Sequence, residues 1–233
     1  MADVVLHGFH RSTYVSIAKL VLTAKGVPFL FHDTEQAMGT TNGWTLHPFD
    51  RVPVLTHDGF TVFETAAIAA YVDEAFFGPA LSPAGPRERA RMNRWISSVN
   101  SYYYPWIVYH LVHERVVFGE LGIAADEAVV AASLPHIDRG LEVLEKVLGS
   151  GTAFLAGDRV SLADYFMLPS LVALGMADEG RAALSRAPAV LAWIARMAVL
   201  PAVVSVGAGM PPRQPIEHAR RWATEHRPAV RAI

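Results

Sequence analysis

The hydrophobic and polar positions at the start of the chain alternate between strand-like and helix-like patterns. Residues 4–7 form a short apolar run that predicts a strand, and residues 29–32 predict a second one. Between them, residues 13–25 are apolar almost all round, which predicts a largely buried helix that ends at Gly26. This order is a βαβ unit, and its parallel crossover is expected to be right-handed.

A β-hairpin is predicted further along the chain, around His57-Asp58-Gly59. Short β-branched and apolar runs at residues 52–56 and 60–63 flank this glycine-containing connection. Pro53 lies inside the first run. Because a proline cannot donate to a strand ladder, it is expected at an edge, a strand start or a bulge, which leaves neighbouring backbone groups for a ligand.

Thr65 follows the hairpin and precedes an alanine-rich apolar run at residues 66–72. Threonine is a good N-cap residue, so a helix is predicted to begin there, and the amides of its first turn favour an anion such as a ligand carboxylate. The order of strand, helix, strand, variable segment, hairpin and helix is the thioredoxin plan.

Glycine and proline are concentrated at residues 77–86, which is typical of a connection between domains. We therefore predict an N-terminal domain at residues 1–78, a linker at 79–87 and an all-helical domain at 88–233. No tandem repeat or low-complexity tract interrupts this division.

One long helix is predicted in the second domain from apolar residues at alternating steps of four and three, which share one face. These are Val130, Leu134, Ile137, Leu141, Leu144 and Leu148. The run at residues 149–151 is expected to end the helix. Pro135 is expected to kink it or to mark a break between two helices, because proline removes a backbone donor.

Composition narrows the classes of function. The chain of 233 residues, with 52% hydrophobic and 18% charged residues, describes a globular protein large enough for two small domains. A formal net charge of −2 gives no electrostatic reason to expect nucleic acid or an anionic membrane as a partner. No basic leader and no apolar run of roughly 20 residues is present, so a cytoplasmic protein is expected. The absence of cysteine excludes disulfides and a cysteine nucleophile.

The segment at residues 49–65 carries the most specific motif of the chain. Arg51-Val52-Pro53, the Asp-Gly hairpin and Glu64-Thr65 resemble the glutathione-binding part of cytosolic glutathione transferases in order and spacing. The resemblance implies a cis Val52–Pro53 peptide bond and a valine backbone that pairs with the cysteinyl part of glutathione. It also implies that Glu64 and Thr65 hold the γ-glutamyl end, with Arg51 assisting.

The second domain carries the same resemblance. Residues 154–164 are similar to the family's helix-capping segment, in which Ser161 is predicted to cap the next turn while Asp164 reaches back to it. This capping box is interpreted as structural. Residues 188–201 are similar to the family's late helix, so the resemblance extends from about residue 4 to residue 201.

Ser12 is the predicted catalytic residue. Residues 8–15 resemble the serine-type classes of the family, phi in particular, in which a serine at this position donates a hydrogen bond to the glutathione sulfur. A free thiol titrates near 8.5, and a helix N-terminus and such a hydrogen bond lower that value. Ser12 is also a good ordinary N-cap, and Tyr14 is the alternative donor, although it falls two residues into the helix. His10 and Arg11 could steer an anionic ligand.

An unusually aromatic helix is predicted through residues 94–110. Aromatic side chains suit either a core or a pocket for flat apolar substrates. By resemblance, this helix faces the glutathione thiol and lines the electrophile pocket, and the expected contacts are Tyr103, Trp106, Ile107 and His110.

Two other patterns are interpreted as structural. His110 and His113 lie one turn apart, but no further ligand follows at a metal-binding spacing, so no metal site is predicted. The basic residues at 211–233 are interrupted by glutamates, which favours a surface helix.

The resemblance implies a thioredoxin-like α/β domain followed by an all-α helical-bundle domain, with the active site in the cleft between them. The implied function is transfer of the glutathione thiolate to a small hydrophobic electrophile, in detoxification, by a homodimer in which Phe49 could insert into the partner subunit. Peroxidase or isomerase chemistry on the same site stays open. The alternative is a non-catalytic binding or interaction protein of the same fold.

One departure from the family pattern concerns the glycine end of glutathione. Serine-type relatives carry a histidine or lysine ahead of the turn matched by His47-Pro48-Phe49, whereas Met38-Gly39 stand at that place here. His47 is the only nearby basic substitute. We therefore expect weak glutathione binding, or a partner that lacks or replaces the glycine end.

Overall fold

A computed structural model describes residues 3–34 and 46–208. They form two compact units: the first comprises the described residues up to Pro86 together with those from Ala198, and the second runs from Arg87 to Met197. The expectations for Met38-Gly39 and for the basic residues at 211–233 lie outside the described residues.

The first unit contains a mixed four-stranded sheet within its described residues. Its strands are β1 (Val4–Gly8), β2 (Leu30–Asp33), β3 (Val54–His57) and β4 (Phe60–Phe63), in the order β2-β1-β3-β4. β1 is parallel to β2 and antiparallel to β3, and β4 is antiparallel to β3. This topology confirms the predicted thioredoxin-like α/β fold.

The hairpin and the first helix follow their local sequence signals. His57 pairs with Phe60, so Asp58 and Gly59 alone form the turn, with φ of 48° and 83°. Two positive φ values in a two-residue connection match the twist of the flanking strands. The first helix, α1 (Thr13–Lys25), ends at Gly26 in the left-handed conformation, as predicted.

Two further helices belong to the first unit. α2 (Thr65–Ala75) follows the hairpin, and its N-cap is Glu64, so the prediction of Thr65 as the N-cap is wrong by one residue. α9 (Pro201–Ala208) packs against α1, although the sequence-based division assigned it to the helical domain.

A buried ion pair joins α1 to α2. Lys25 Nζ lies 2.8 Å from Asp73 Oδ1, and both side chains are almost fully buried. Lys25 also donates to the carbonyl of Pro79, and the Leu81 amide donates to the Asp73 carboxylate. Burial by itself would raise the pKa of Asp73, but these hydrogen bonds outweigh it and hold that pKa below its ordinary value.

The second unit is helical throughout its named elements. They are α3 (Pro86–Ser98), a π-helical segment (Val99–Val117), α4 (Phe118–Glu120), α5 (Glu127–Leu148), α6 (Leu162–Leu174), α7 (Asp178–Leu184) and α8 (Pro188–Ala198). The π-helical segment continues directly from α3 and packs against α5 and α6. Its wider winding is seen at its end, where the Phe118 amide donates to the carbonyl of His113, five residues back.

α5 tests the prediction for the long helix. The residues on its predicted face are buried, except for Leu134, which is half-buried, and the helix ends before Gly149 as expected. Of the two alternatives expected at Pro135, the break is excluded because one helix runs from Glu127 to Leu148, and the kink stays a prediction. The buried face on both sides of the proline stabilises the helix enough to tolerate the missing donor.

The capping box at the start of α6 is present. Asp164 is fully buried, and its Oδ2 accepts hydrogen bonds from the amide and the hydroxyl of Ser161. Its Oδ1 accepts from the Leu155 amide and from Trp193 Nε1. The carboxylate therefore ties a loop and two helices together, as the structural interpretation predicts.

No single helix in residues 3–34 and 46–208 is long and apolar enough to cross a membrane, while α8 and residues 201–207 meet that test of length and composition only as a bent pair.

Candidate functional site

The strand register brings three segments of the first unit to one end of its sheet. His7 pairs with Val54, which in turn pairs with Phe63, so these three residues form one row across the sheet. The start of α1 follows soon after His7, the Val-Pro dipeptide immediately precedes Val54, and the start of α2 immediately follows Phe63. The predicted glutathione-binding segments are thus neighbours, although they are far apart in the chain.

Ser12 is the N-cap of α1. Its backbone amide donates to the carbonyl of Phe9, and its Oγ accepts a hydrogen bond from the Val15 amide at 3.3 Å. That contact is the only side-chain hydrogen bond of Ser12 within the described residues, so its hydroxyl hydrogen is available to a ligand. The side chain is half-buried and lies at the positive end of the helix dipole. Tyr14 is the second residue of the same helix, as predicted.

The Val52–Pro53 peptide bond is cis, which confirms the prediction. Pro53 is buried and Val52 is half-buried. The ladder of β3 begins at Val54, so both residues precede the strand pairing, which agrees with the expected strand start.

Glu64 has an unusual backbone conformation for a residue with a side chain. Its φ is 70° and its ψ is 118°, and its side chain makes no cap hydrogen bond to α2. Such a conformation costs about 1–3 kcal/mol, and strained residues of this kind cluster at functional sites. The side chain is exposed at the row of converging segments, whereas that of Thr65 is buried at the start of the helix.

His47 lies beside the same end of the sheet. Its buried ring packs against Phe63, with ring centroids 4.9 Å apart, and its Nδ1 accepts a hydrogen bond from the Phe49 amide at 3.1 Å. Since an amide can only donate, the proton of the neutral ring is on Nε2. Burial lowers the pKa of His47, Glu64 opposes this effect, and Arg51 adds to it.

Arg51 itself is exposed, and its guanidinium donates to the carbonyl of Asp50 at 3.4 Å. Its charge lies next to the cis dipeptide in the chain. The assisting role expected for Arg51 stays a prediction.

The predicted electrophile contacts are all buried in the second unit. The Tyr103 hydroxyl donates to the carbonyl of Gly140 at 2.9 Å, and burial raises the pKa of Tyr103. Trp106 stacks on His136, with ring centroids 3.8 Å apart and an angle of 2° between the rings. Ile107 is almost fully buried. Tyr103 thus joins the π-helical segment to α5 and serves packing in this unit.

His110 has a free acceptor among the described residues. Its Nδ1 donates to the carbonyl of Pro105 at 2.6 Å, and its buried Nε2 has no hydrogen-bond partner there. Because a buried unpaired polar atom is costly, this nitrogen is suited to receive a ligand donor. The described residues contain no group of three or more side chains that could hold a metal ion.

Comparisons with known proteins agree with this geometry. A family model described as "Glutathione S-transferase, N-terminal domain" matches residues 6–80, and one described as "Glutathione S-transferase, C-terminal domain" matches residues 127–196. Glutathione S-transferase F14 of Arabidopsis thaliana is 31% identical, over 80% of this chain and 76% of that protein. Glutathione S-transferase 4 of Zea mays is 31% identical, over 90% of this chain and 96% of that protein.

The chain belongs to the glutathione S-transferase family.

Solved structures support the same assignment. The crystal structure of glutathione transferase F7 from Populus trichocarpa has a TM-score of 0.81 and 27% identity, and the match covers 90% of this chain and all of that one. The protein is thus a phi-type glutathione S-transferase that uses glutathione as its co-substrate. These findings confirm the family, the fold class and the co-substrate expected from the sequence.

Two features of this end of the sheet could not be predicted from the sequence. The positive φ of Glu64 and the hydrogen bond from the Phe49 amide to His47 have no signal in the residue pattern. Both depend on the path of the backbone at the end of the sheet formed by His7, Val54 and Phe63. The individual roles of the site residues remain predictions.

Proposed function

We propose that this transferase conjugates the thiolate of glutathione to small hydrophobic electrophiles, with the Ser12 hydroxyl donating to the sulfur. The observation that carries the proposal is the convergence of the α1 start, the Val52–Pro53 dipeptide and the α2 start at one end of the sheet. A hydrogen bond to sulfur and the positive end of α1 both favour the thiolate over the thiol.

Glutathione is proposed to bind along this row of segments. The backbone of Val52, which precedes the strand pairing of β3, is proposed to take the cysteinyl part. The γ-glutamyl end carries an ammonium and a carboxylate, which suit the Glu64 carboxylate and the uncapped first-turn amides from Thr65 onward, respectively. Arg51 supplies additional positive charge.

The electrophile is proposed to contact the aromatic segment of the second unit. Trp106 and Ile107 provide apolar surface, and His110 Nε2 provides an acceptor for an electrophile that carries a hydrogen-bond donor. Tyr103 is proposed as part of the wall, since its hydroxyl is already used by Gly140.

The proposal is tested by retention on immobilised glutathione together with turnover of a generic aromatic halide. We expect both. The alternative is a non-catalytic binding protein with this fold. It would be supported if the protein is retained on glutathione but turns over neither the aromatic halide nor hydroperoxide or isomerase substrates. Loss of retention as well as turnover would contradict both readings.

Glutathione affinity is expected to be weak and to increase on acidification. A neutral His47 cannot supply the charge-assisted hydrogen bond to the glycyl carboxylate that a basic residue would, a deficit of about 1.5–3 kcal/mol, or ten- to a hundredfold in affinity. Because burial lowers the pKa of His47 from its ordinary value of 6.5, the charged form that attracts the carboxylate is present only below that lowered pKa and is lost as the pH rises through it.

Calorimetry with S-methylglutathione measures this effect without a titrating thiol. Affinity should increase as the pH is lowered from about 7.5 towards about 5 in the wild type, and His47→Asn should remove the increase. His136 is exposed, so His136→Asn is the matched control, and this variant should keep the increase in affinity at low pH. A tight, pH-independent affinity in both wild type and His47→Asn would show that another group holds the carboxylate.

The transferase is also proposed to be a homodimer in which Phe49 inserts into the partner subunit. Phe49 is 69% exposed at the bend before β3, where its ring packs edge-on against His47. An aromatic anchor of this kind commonly contributes 2 kcal/mol or more to an interface. Phe49→Ser should therefore raise the dimer dissociation constant about thirtyfold in analytical ultracentrifugation.

Phe77 is a matched control for this experiment, since it is fully exposed at 103%. Phe77→Ser should leave the dissociation constant unchanged. A wild-type monomer, or equal effects of the two substitutions, would contradict the role of Phe49. The cytoplasmic location and the role in detoxification stay proposals, and cell fractionation tests the first of them.

A further inference from the structure

Lysine is rare in this chain and occurs only at Lys19, Lys25 and Lys146. Lys25 is buried in its ion pair with Asp73, and Lys146 is exposed on α5. Lys19 differs from both, because it lies half-buried on α1 against residues of β2 and of the loop before α1.

The side chain of Lys19 is held between a ring face and a base. Its Nζ lies 3.4 Å from the centroid of the Phe31 ring and 3.1 Å from His10 Nδ1. An ammonium can only donate, so His10 Nδ1 is the acceptor and the proton of the neutral imidazole is on Nε2. That Nε2 faces Asp33 Oδ2 at 3.9 Å. Amine, imidazole and carboxylate thus follow one another, which is the order of nucleophile, base and orienting group.

The electrostatics agree with this geometry. Burial lowers the pKa of Lys19 to about 8, and the nearby Asp33 opposes the shift. The pKa of His10 is lowered mainly by burial and further by the charge of Lys19, whereas the charge of Asp33 raises it. His10 and Asp33 are the titratable groups that the described residues bring against Lys19. Near neutral pH the imidazole is therefore available as a base, and a larger fraction of the amine is neutral than in an ordinary lysine.

We propose that Lys19 is a nucleophilic lysine that accepts an acyl group from an activated thioester. One proton passes from the ammonium to His10 Nδ1 and on to solvent, and the neutral amine then attacks the carbonyl carbon. The new C–N bond forms as the C–S bond breaks, and the leaving thiolate takes the second proton of the nitrogen. The products are an amide on Lys19, a thiol and one released proton. Since the chain has no cysteine, the acyl group reaches the amine directly and not through a thiol of this protein.

The experiment exposes the full-length protein to the acetyl thioester of N-acetylcysteamine and quantifies acetylation of each lysine by peptide mass spectrometry. At about pH 7.5, an amine with a pKa of about 8 is neutral in roughly a quarter of molecules, against about one in a thousand for an ordinary lysine. A less basic amine is a weaker nucleophile, so we expect Lys19 to react about tenfold or more faster than Lys146. Lys25 should react slowest.

The pH dependence and two histidine variants identify the cause. The Lys19 rate should level off above about pH 8, whereas the Lys146 rate should still rise. His10→Gln should lower the ratio of Lys19 to Lys146 acetylation about fivefold. His32→Gln, on the same strand as Phe31 but on the other face of the sheet, should leave the ratio unchanged.

An acetylation rate of Lys19 equal to or below that of Lys146 at every pH would overturn the proposal. This comparison uses only the wild-type protein, so it does not depend on whether a variant folds. Equal ratios in His10→Gln and His32→Gln would overturn the role of His10 as the base.

Discussion

Ser12→Ala lowers the turnover number about 10²- to 10³-fold and changes the affinity for S-methylglutathione by no more than about twofold. The reason is that the hydroxyl acts on the thiolate and not on the peptide part of glutathione, and removing one preorganised donor from a stabilised anion has an effect of this size. Steady-state kinetics with an aromatic halide and calorimetry with the S-methyl derivative measure the two quantities separately. Ser12→Thr, which keeps a hydroxyl, should recover part of the turnover.

Ser12 is also a helix cap, so the loss of stability needs its own control. Asp126 caps α5 by accepting hydrogen bonds from the Ala128 and Val129 amides. Asp126→Ala and Ser12→Ala should each cost about 1 kcal/mol of unfolding free energy. Only the second should affect turnover. Wild-type turnover in Ser12→Ala together with its loss in Tyr14→Phe would assign the thiolate to the tyrosine instead.

Asp164→Asn should lower the free energy of unfolding by about 2–4 kcal/mol. Each carboxylate oxygen of Asp164 accepts two hydrogen bonds in a fully buried position. In the asparagine variant, an amide nitrogen replaces one of those oxygens and faces two donors, each of which then lacks an acceptor at about 1–3 kcal/mol. Urea denaturation followed by far-ultraviolet circular dichroism measures the change in unfolding free energy.

Asp158 provides the control for this substitution, because it is exposed in the same loop. Asp158→Asn should change stability by less than about 0.5 kcal/mol. Equal urea midpoints for the two variants would show that the buried carboxylate does not hold the loop and helices as described.

The parts of the fold that the sequence predicts well are those with short-range causes. α1 begins after a serine cap and ends at a glycine in the left-handed conformation, and the hairpin turns at Asp58-Gly59. Each signal acts within a few residues, so the pattern is sufficient. The order of these elements predicted their assembly into a thioredoxin-like domain, and the resemblance to transferases agreed with it.

Predictions failed where packing overrides a local preference. A break was one of two alternatives expected at Pro135, and the buried face of α5 excludes it by keeping one helix through the proline. The π-helical winding of Val99–Val117 and the packing of α9 against α1 also have no local signal. Both depend on contacts with other elements, which a single sequence does not display.

The candidate site shows the same contrast. Ser12, Val52 and Pro53 were found by motif, and the strand register explains why they converge. The environment of Lys19 could not be found this way, because Phe31 comes from another element and meets the amine only after the parallel crossover brings β2 beside β1.

The pKa of the thiol of bound glutathione is the most direct test of the central claim that Ser12 stabilises the thiolate. It is measured by titrating the ultraviolet absorbance of the thiolate in the complexes of wild type and Ser12→Ala. We expect a value at least one unit below the free-thiol value of about 8.5 in the wild type, and a rise of about one unit or more in the variant, equivalent to about 1.4 kcal/mol. The same lowered pKa in both complexes would contradict the assignment of Ser12.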